Sequence, residues 1–213
     1  MNLSRLKDAE RSFLHRYPGG FNNRELIAIR KKKHNVDKMV TFAQKSFSKR
    51  NFKLPDQIVQ DMVNVVSRSS IIAVFEKPRF RDFACALFPE EKNLLTNGLE
   101  ELLYGNEQIG FERILALLKS RKLAKWPLMT ICQTYFNPQK TVFVKPTTVK
   151  GIIGYFELQN LQYKPLPSWA FYDAYRSTIY EMKSKVDSSL SPTNVAFSWF
   201  LLLSFHSEMF EII

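Results

Sequence analysis

The sequence predicts an all-α fold: a single multi-helix globular domain over residues 1–213, of about nine helices, with at most one short β element near 141–144. Three observations lead there. Apolar residues recur at helical rather than alternating spacing along most of the chain. The connections between these stretches are short and marked by Pro, Gly, Asn or Ser. Neither an internal repeat nor a Pro/Gly/Ser-rich linker divides the 213 residues, a length suited to one sizeable domain or two small ones. At 45% hydrophobic and 24% charged residues, the composition excludes a wholly disordered chain.

Taken in order, residues 3–16 place Leu3, Leu6, Phe13 and Leu14 among charges, as a surface helix does. Tyr17-Pro18-Gly19-Gly20 breaks it, because Pro fixes φ and Gly enters left-handed turns. Residues 22–48 read as one or two highly charged helices. Pro55-Asp56 suits a helical first turn, with Ile58, Val59, Met62, Val63, Val65 and Val66 as the buried side. That run is rich enough in β-branched residues for a strand, but the 58/59/62/63/66 spacing favours a helix. Pro78 opens a short helix carrying Phe80, Phe83, Ala84 and Leu87.

Residues 90–104 and 107–120 follow as two amphipathic helices, punctuated by Gly105 and Gly110. Pro127 and Thr130 open a segment that runs to Phe136 and ends at Asn137-Pro138. Thr141-Val142-Phe143-Val144 is the strand candidate. Thr147 is placed to cap a helix over 148–156. Ser168 caps another through Met182, with Trp169, Tyr172, Tyr175, Ile179 and Met182 on one face. Ser191-Pro192 opens the last helix.

The charge is unevenly distributed. Of a net +11, residues 1–55 hold 14 Lys/Arg against four acids, a balance of +10. A second bias lies between Glu112 and Glu157, where Arg113, Lys119, Arg121, Lys122, Lys125, Lys140, Lys145 and Lys150 stand without an acid. Two basic segments on one surface attract a polyanion. Phe47, Phe52, Tyr135, Phe136 and Phe143 fall inside them and are either core residues or platforms for stacked bases.

Chemistry leaves little trace. No phosphate-binding loop, dinucleotide fingerprint, HExxH, GxSxG or CxxC is present. His15, His34 and His206 lie far apart; the first two read as surface residues and His206 as packed. Glu90-Glu91 and Glu100-Glu101 are adjacent pairs, which diverge by about 100° on a helix and read as solvated faces. Cys132, beside Ile131, reads as core rather than nucleophile, and two cysteines are too few for a disulfide scaffold or a four-thiolate zinc site. The expectation is no cofactor, no metal and no catalytic residue, although an enzyme site assembled from distant residues such as Glu76, Asp82, Glu112, Tyr135 and Lys145 stays open.

The N-terminus shows no apolar core with a cleavage site. The apolar run Val195–Phe205 rises about 16 Å as a helix, short of the ~30 Å hydrocarbon layer. A cytoplasmic protein without membrane contact is expected.

Tyr17-Pro18-Gly19-Gly20-Phe21, Phe75-Glu76-Lys77, Leu103-Tyr104-Gly105, Trp126-Pro127 with Thr130, Phe143-Val144-Lys145-Pro146 and Ser198-Trp199 resemble the landmarks of a family of conserved bacterial proteins without an assigned activity. That resemblance spans residues 13–203; it implies one intact domain and carries no function. Residues 106–156 are also similar in layout to the helix-hairpin-helix region of DNA base-excision glycosylases. Leu123, Ala124, Lys125, Trp126 and Pro127 occupy the hairpin stretch, Thr130 has the matching offset, and Phe143 to Thr148 occupy the aromatic-Pro segment. Both hairpin glycines are missing, and Thr147 and Thr148 stand where the resemblance implies the catalytic Asp. It therefore implies a scaffold without the usual chemistry, since a threonine cannot stabilise the developing positive charge as a carboxylate does.

The leading expectation is a non-catalytic nucleic-acid-binding protein, on DNA rather than RNA. Its phosphate contacts would be Arg30, Lys31, Lys32, Lys33, Lys49 and Arg50, with Lys119, Arg121, Lys122, Lys125 and Lys145 as a second group. The alternative is an interaction subunit that docks an acidic protein through its basic N-terminal segment, extended by the aromatic helix Phe197 to Phe205. Exposure of Trp199 and its neighbours would favour that alternative.

Overall fold

The computed structural model describes residues 1–33 and 36–205, except the side chains of 29–33. Eleven α-helices form among the described residues, slightly more than expected, and no strand. Helix α1 (Leu3–Arg16) opens on Asn2, whose side chain accepts from the Arg5 N–H, and buries Leu6, Ala9 and Phe13. The charged stretch divides into α2 (Arg24–Lys33) and α3 (Val36–Ser46). Helix α4 (Pro55–Arg68) starts on its proline and buries Ile58, Val59, Met62, Val63, Val65 and Val66, the face that the spacing marks. Helix α5 (Glu76–Cys85) begins two residues ahead of Pro78.

Helices α6 (Pro89–Tyr104) and α7 (Glu107–Ser120) form a tight antiparallel pair. A Cβ built on Gly110 would lie 2.6 Å from Gly98 O and Leu102 Cα, so the glycine lets the two backbones touch. Helix α7 ends in a Schellman turn: Leu123 N–H donates to Leu118 O at 2.8 Å and Lys122 N–H to Lys119 O at 3.1 Å. Lys122 takes the left-handed position with φ 56°. Helices α8 (Trp126–Phe136), α9 (Pro146–Tyr155), α10 (Trp169–Lys183) and α11 (Asn194–Leu203) complete the chain. No helix among the described residues is long and apolar enough to cross a membrane.

Thr141–Val144 is extended but pairs with no strand, which corrects the β expectation. Its alternation is as read: Val142 and Val144 are fully buried while Phe143 is half-buried and Lys145 exposed. Helix hydroxyls supply the partners that a neighbouring strand would have supplied. Val142 N–H donates to Tyr172 Oη at 3.3 Å, and Val144 N–H to Thr130 Oγ1 at 3.2 Å. Two caps also shift. Helix α9 starts at Pro146, one residue ahead of Thr147, with Lys145 as a cap lacking a side-chain acceptor. Helix α11 is capped by Thr193, which accepts from Ala196 N–H at 3.1 Å, rather than by Ser191.

Helix α4 lies at the centre, packed by α3, α5, α6 and α8, and buried apolar residues run continuously from Leu6 to Leu203. Phe111, Trp126, Trp169, Phe171 and Tyr172 form an aromatic cluster between α7, α8 and α10. The fully buried Asn194 donates to Gln139 O and Thr141 O, both at 3.0 Å, and so ties α11 to the extended segment.

Candidate functional site

The start of α3, the end of the extended segment, α9 and α11 enclose a pocket of about 270 Å³. This is just below the roughly 300–1,000 Å³ of sites for drug-sized ligands, and it suits a single ring system. Helix α11 gives one wall through Val195, Ser198, Trp199 and Leu202, residues spaced to share one helical face. Phe143, Lys145 and Thr148 also line the pocket, as do Val36 and Ile71. Trp199 is half-buried and its ring packs on Phe21 at 5.6 Å between centroids. Most of its helix faces inward: Phe197, Phe200, Leu201 and Leu203 are fully buried.

Two helix N-termini border this pocket, and they differ. That of α11 is satisfied, by the Thr193 cap and by an Asn194 N–H donated to Pro138 O at 2.9 Å. That of α9 is open: Pro146 has no N–H, and the Thr147 and Thr148 amides have no acceptor among the described residues. Ser198 is buried, and its hydroxyl oxygen, itself out of reach of solvent, makes no hydrogen bond among the described residues.

The basic residues do not form one patch. Lys49 and Arg50 sit in a short 3-10 turn (Lys49–Lys53), exposed and without an ion pair among the described residues. Phe52 in that turn packs edge-on against Tyr104 at the C-terminal end of α6. Arg121 is held at the opposite end of α6 by Glu91, 2.6 Å away. Glu91 and Tyr104 lie about 20 Å apart along the helix at 1.5 Å per residue. Lys119, Lys122 and Lys125 stand exposed around the Schellman turn, and Lys145 stands exposed at the pocket rim. The side chains of Arg30, Lys31, Lys32 and Lys33 lie outside the described residues, as do His34 and His206. The backbone of α2 ends at Lys33, three residues ahead of Val36 in the pocket wall.

Tertiary contacts also bring acids to cations that the sequence leaves unopposed. Arg5 meets Glu157 at 3.2 Å, and Lys140 and Arg176 both meet Glu107. Burial alone would raise the Glu107 carboxyl; hydrogen bonds from Lys140 and Arg176 outweigh it and hold the group below the ordinary carboxylate range. Burial raises Glu76, against the partial relief of the Lys125 charge. Cys132 is buried and pushed up to about 12, as a core thiol should be.

The scattered enzyme candidates do not converge on one recess. Tyr135 is buried and shares a 2.9 Å hydrogen bond with Ser69, Asp82 pairs with Arg81, and Glu112 accepts from Gln108. No group of three or more His, Cys, Asp or Glu placed to hold a metal occurs among the described residues. Phe47, Phe52 and Tyr135 are core residues, while Phe143 alone of the five highlighted rings lines the pocket.

Sequence reasoning missed Ser198 and Trp199 as pocket residues. The signal available was the 195/198/199/202 spacing, hidden because the whole helix is apolar. Comparison of the chain with protein-family models, curated proteins and solved structures finds no match in any of the three.

Proposed function

We propose that this protein binds nucleic acid without catalysing a reaction on it, DNA in preference to RNA. The carrying observation is that Lys49, Arg50, Lys119, Lys122, Lys125 and Lys145 are exposed and make no ion pair among the described residues. Arg121 would have to leave Glu91 to join them. A duplex advances about 3.4 Å per base pair, so one of more than about six pairs bridges the ~20 Å between the two ends of α6. Trp199 is half-buried and its helix packs mostly inward, which weakens the aromatic half of the protein-docking alternative.

The test is a fluorescence-anisotropy titration with a labelled twenty-base-pair duplex, single-stranded DNA and RNA at several salt concentrations. Six phosphate contacts give a log–log salt slope of about −5 on duplex DNA. Charge reversal at Lys31–Lys33 lowers affinity on every sequence, because phosphate contacts do not read bases. Reversal at Lys49 and Arg50 weakens the twenty-pair duplex and makes its log–log salt slope shallower by about 2. Absence of binding at low salt, where electrostatic attraction is strongest, overturns the proposal and leaves the acidic-protein reading.

A further inference from the structure

Val74 and Phe75 are the most exposed large apolar side chains among the described residues, at 81% and 68%. They are the central residues of a turn at the head of α5, closed by the Glu76 N–H donated to Ala73 O at 3.0 Å. Centres of exposed turns ordinarily carry Gly, Pro, Asn, Asp or Ser. A local rule broken in this way points to function or to strain, and Phe75 is unstrained, with φ −72° and ψ −18°. We propose that this turn is a wedge: Phe75, with Val74 beside it, enters a base step of duplex DNA from the minor groove while flanking cations hold the phosphates. This rests on the nucleic-acid reading and deepens it.

The contacts of residues 69–76 place the turn among those cations. Ser69 shares a hydrogen bond with Tyr135 near the C-terminal end of α8. Ile71 lines the pocket that Lys145 also lines. Glu76 lies close enough to Lys125, at the N-terminal end of α8, to feel its charge. The segment therefore runs back along α8, and its tip stands between Lys145 and Lys125. Arg79 is exposed one helical turn beyond Phe75. These three cations make no ion pair among the described residues. Glu76, the acid next to the tip, is half-buried with its Oε2 out of reach of solvent.

An apolar tip of this kind enters its partner rather than receiving it, and two anionic partners admit it: a base stack and an anionic bilayer. The two side chains carry about ten carbons, fewer than a single myristoyl chain, which by itself holds a membrane only marginally. In a duplex, one inserted apolar side chain unstacks a base step, and nearby Lys and Arg pair with the phosphates of the bent strand. The amount of apolar surface at the tip favours the duplex.

The closing experiment uses twenty-pair duplexes with 2-aminopurine beside a central TA step, either fully paired or with one central mismatch. The protein raises 2-aminopurine fluorescence on saturation and binds the mismatched duplex more tightly, because its step is already loosened. Phe75→Ala abolishes both effects and weakens the duplex by about fivefold or more. It leaves the log–log salt slope unchanged, since phenylalanine carries no charge. Phe75→Leu, still apolar and branched, retains the mismatch preference. Circular dichroism confirms that each variant folds, as truncation of an exposed side chain allows. A Phe75→Ala protein that matches the wild type in fluorescence and mismatch preference overturns the wedge, and an intact salt slope then leaves the nucleic-acid reading standing. No duplex binding at low salt overturns both. Binding to vesicles of equal parts phosphatidylcholine and phosphatidylserine that requires Phe75, without a 2-aminopurine response, assigns the tip to a lipid surface and overturns the wedge.

Discussion

Thr130 is the residue on which the extended segment beside the pocket depends, and its contribution can be worked from two hydrogen bonds. The side chain is fully buried; its Oγ1 donates to Trp126 O at 2.9 Å and accepts from Val144 N–H at 3.2 Å. Thr130→Val keeps the shape and removes the oxygen. Trp126 O still accepts within its helix, so the change falls on Val144, a buried amide left without an acceptor. Such an orphan costs about 1–3 kcal/mol. For a chain of this length, 2 kcal/mol lowers Tm by roughly 4–8 °C.

Thr130→Ser makes the reasoning refutable. Serine keeps both hydrogen bonds and loses a methyl group, which costs about 0.8 kcal/mol. The expected stability order is therefore Thr, then Ser, then Val. Packing alone predicts Val above Ser. Urea unfolding followed by circular dichroism, with an unchanged m value, gives the order. Hydrogen exchange at the Val144 amide, faster in the valine variant than in the serine one, locates the effect. A valine variant as stable as the wild type, or a serine variant below it, refutes the role assigned to Thr130.

Three further outcomes follow from the same geometry. Gly110→Ala forces a Cβ against backbone atoms of α6, so overpacking of about 1–3 kcal/mol exceeds the gain in helix propensity of about 1 kcal/mol, and thermal unfolding should move down; an unchanged Tm contradicts the close crossing. Lys122→Gly relieves a left-handed backbone at the Schellman position and should stabilise the fold by about 0.5–1 kcal/mol in urea melts, whereas a loss would place the residue elsewhere in φ. Glu107 has a lowered proton affinity in the folded chain, so the stability it contributes is present above the unfolded carboxylate value of about 4.3 and disappears as pH falls through its lower folded value. Glu107→Gln should flatten that acid limb in melts between about pH 5 and pH 2, and an unaltered limb counts against the Lys140–Glu107–Arg176 network.

Most helices were legible because the signals that make them are local. Pro55, Ser168 and the 58/59/62/63/66 face act through the residues next to them, and the structure uses each as read. The extended segment was not, because alternation reports that one side of a chain is buried and says nothing about what buries it. Thr130 and Tyr172 stand 14 and 30 residues away from the amides they accept from. Two helix ends were hidden for a related reason. Lys122 and Glu157 occupy the left-handed Schellman positions that glycine usually marks, and tertiary packing supplies the conformational preference that the residue type lacks.

The candidate site was legible as charge and not as shape. Counting cations along the chain assigns Arg5, Arg121 and Lys140 the same weight as Lys145, yet folding hands the first three to Glu157, Glu91 and Glu107. What separates Lys145 is not its sequence neighbourhood but its position at an uncapped helix start, on a pocket that α11, some fifty residues later, also lines. A linear charge count measures attraction at a distance, screened beyond about 10 Å at moderate salt. The groups that distinguish one anion from another act within hydrogen-bond range, and which of them share that range is decided by packing.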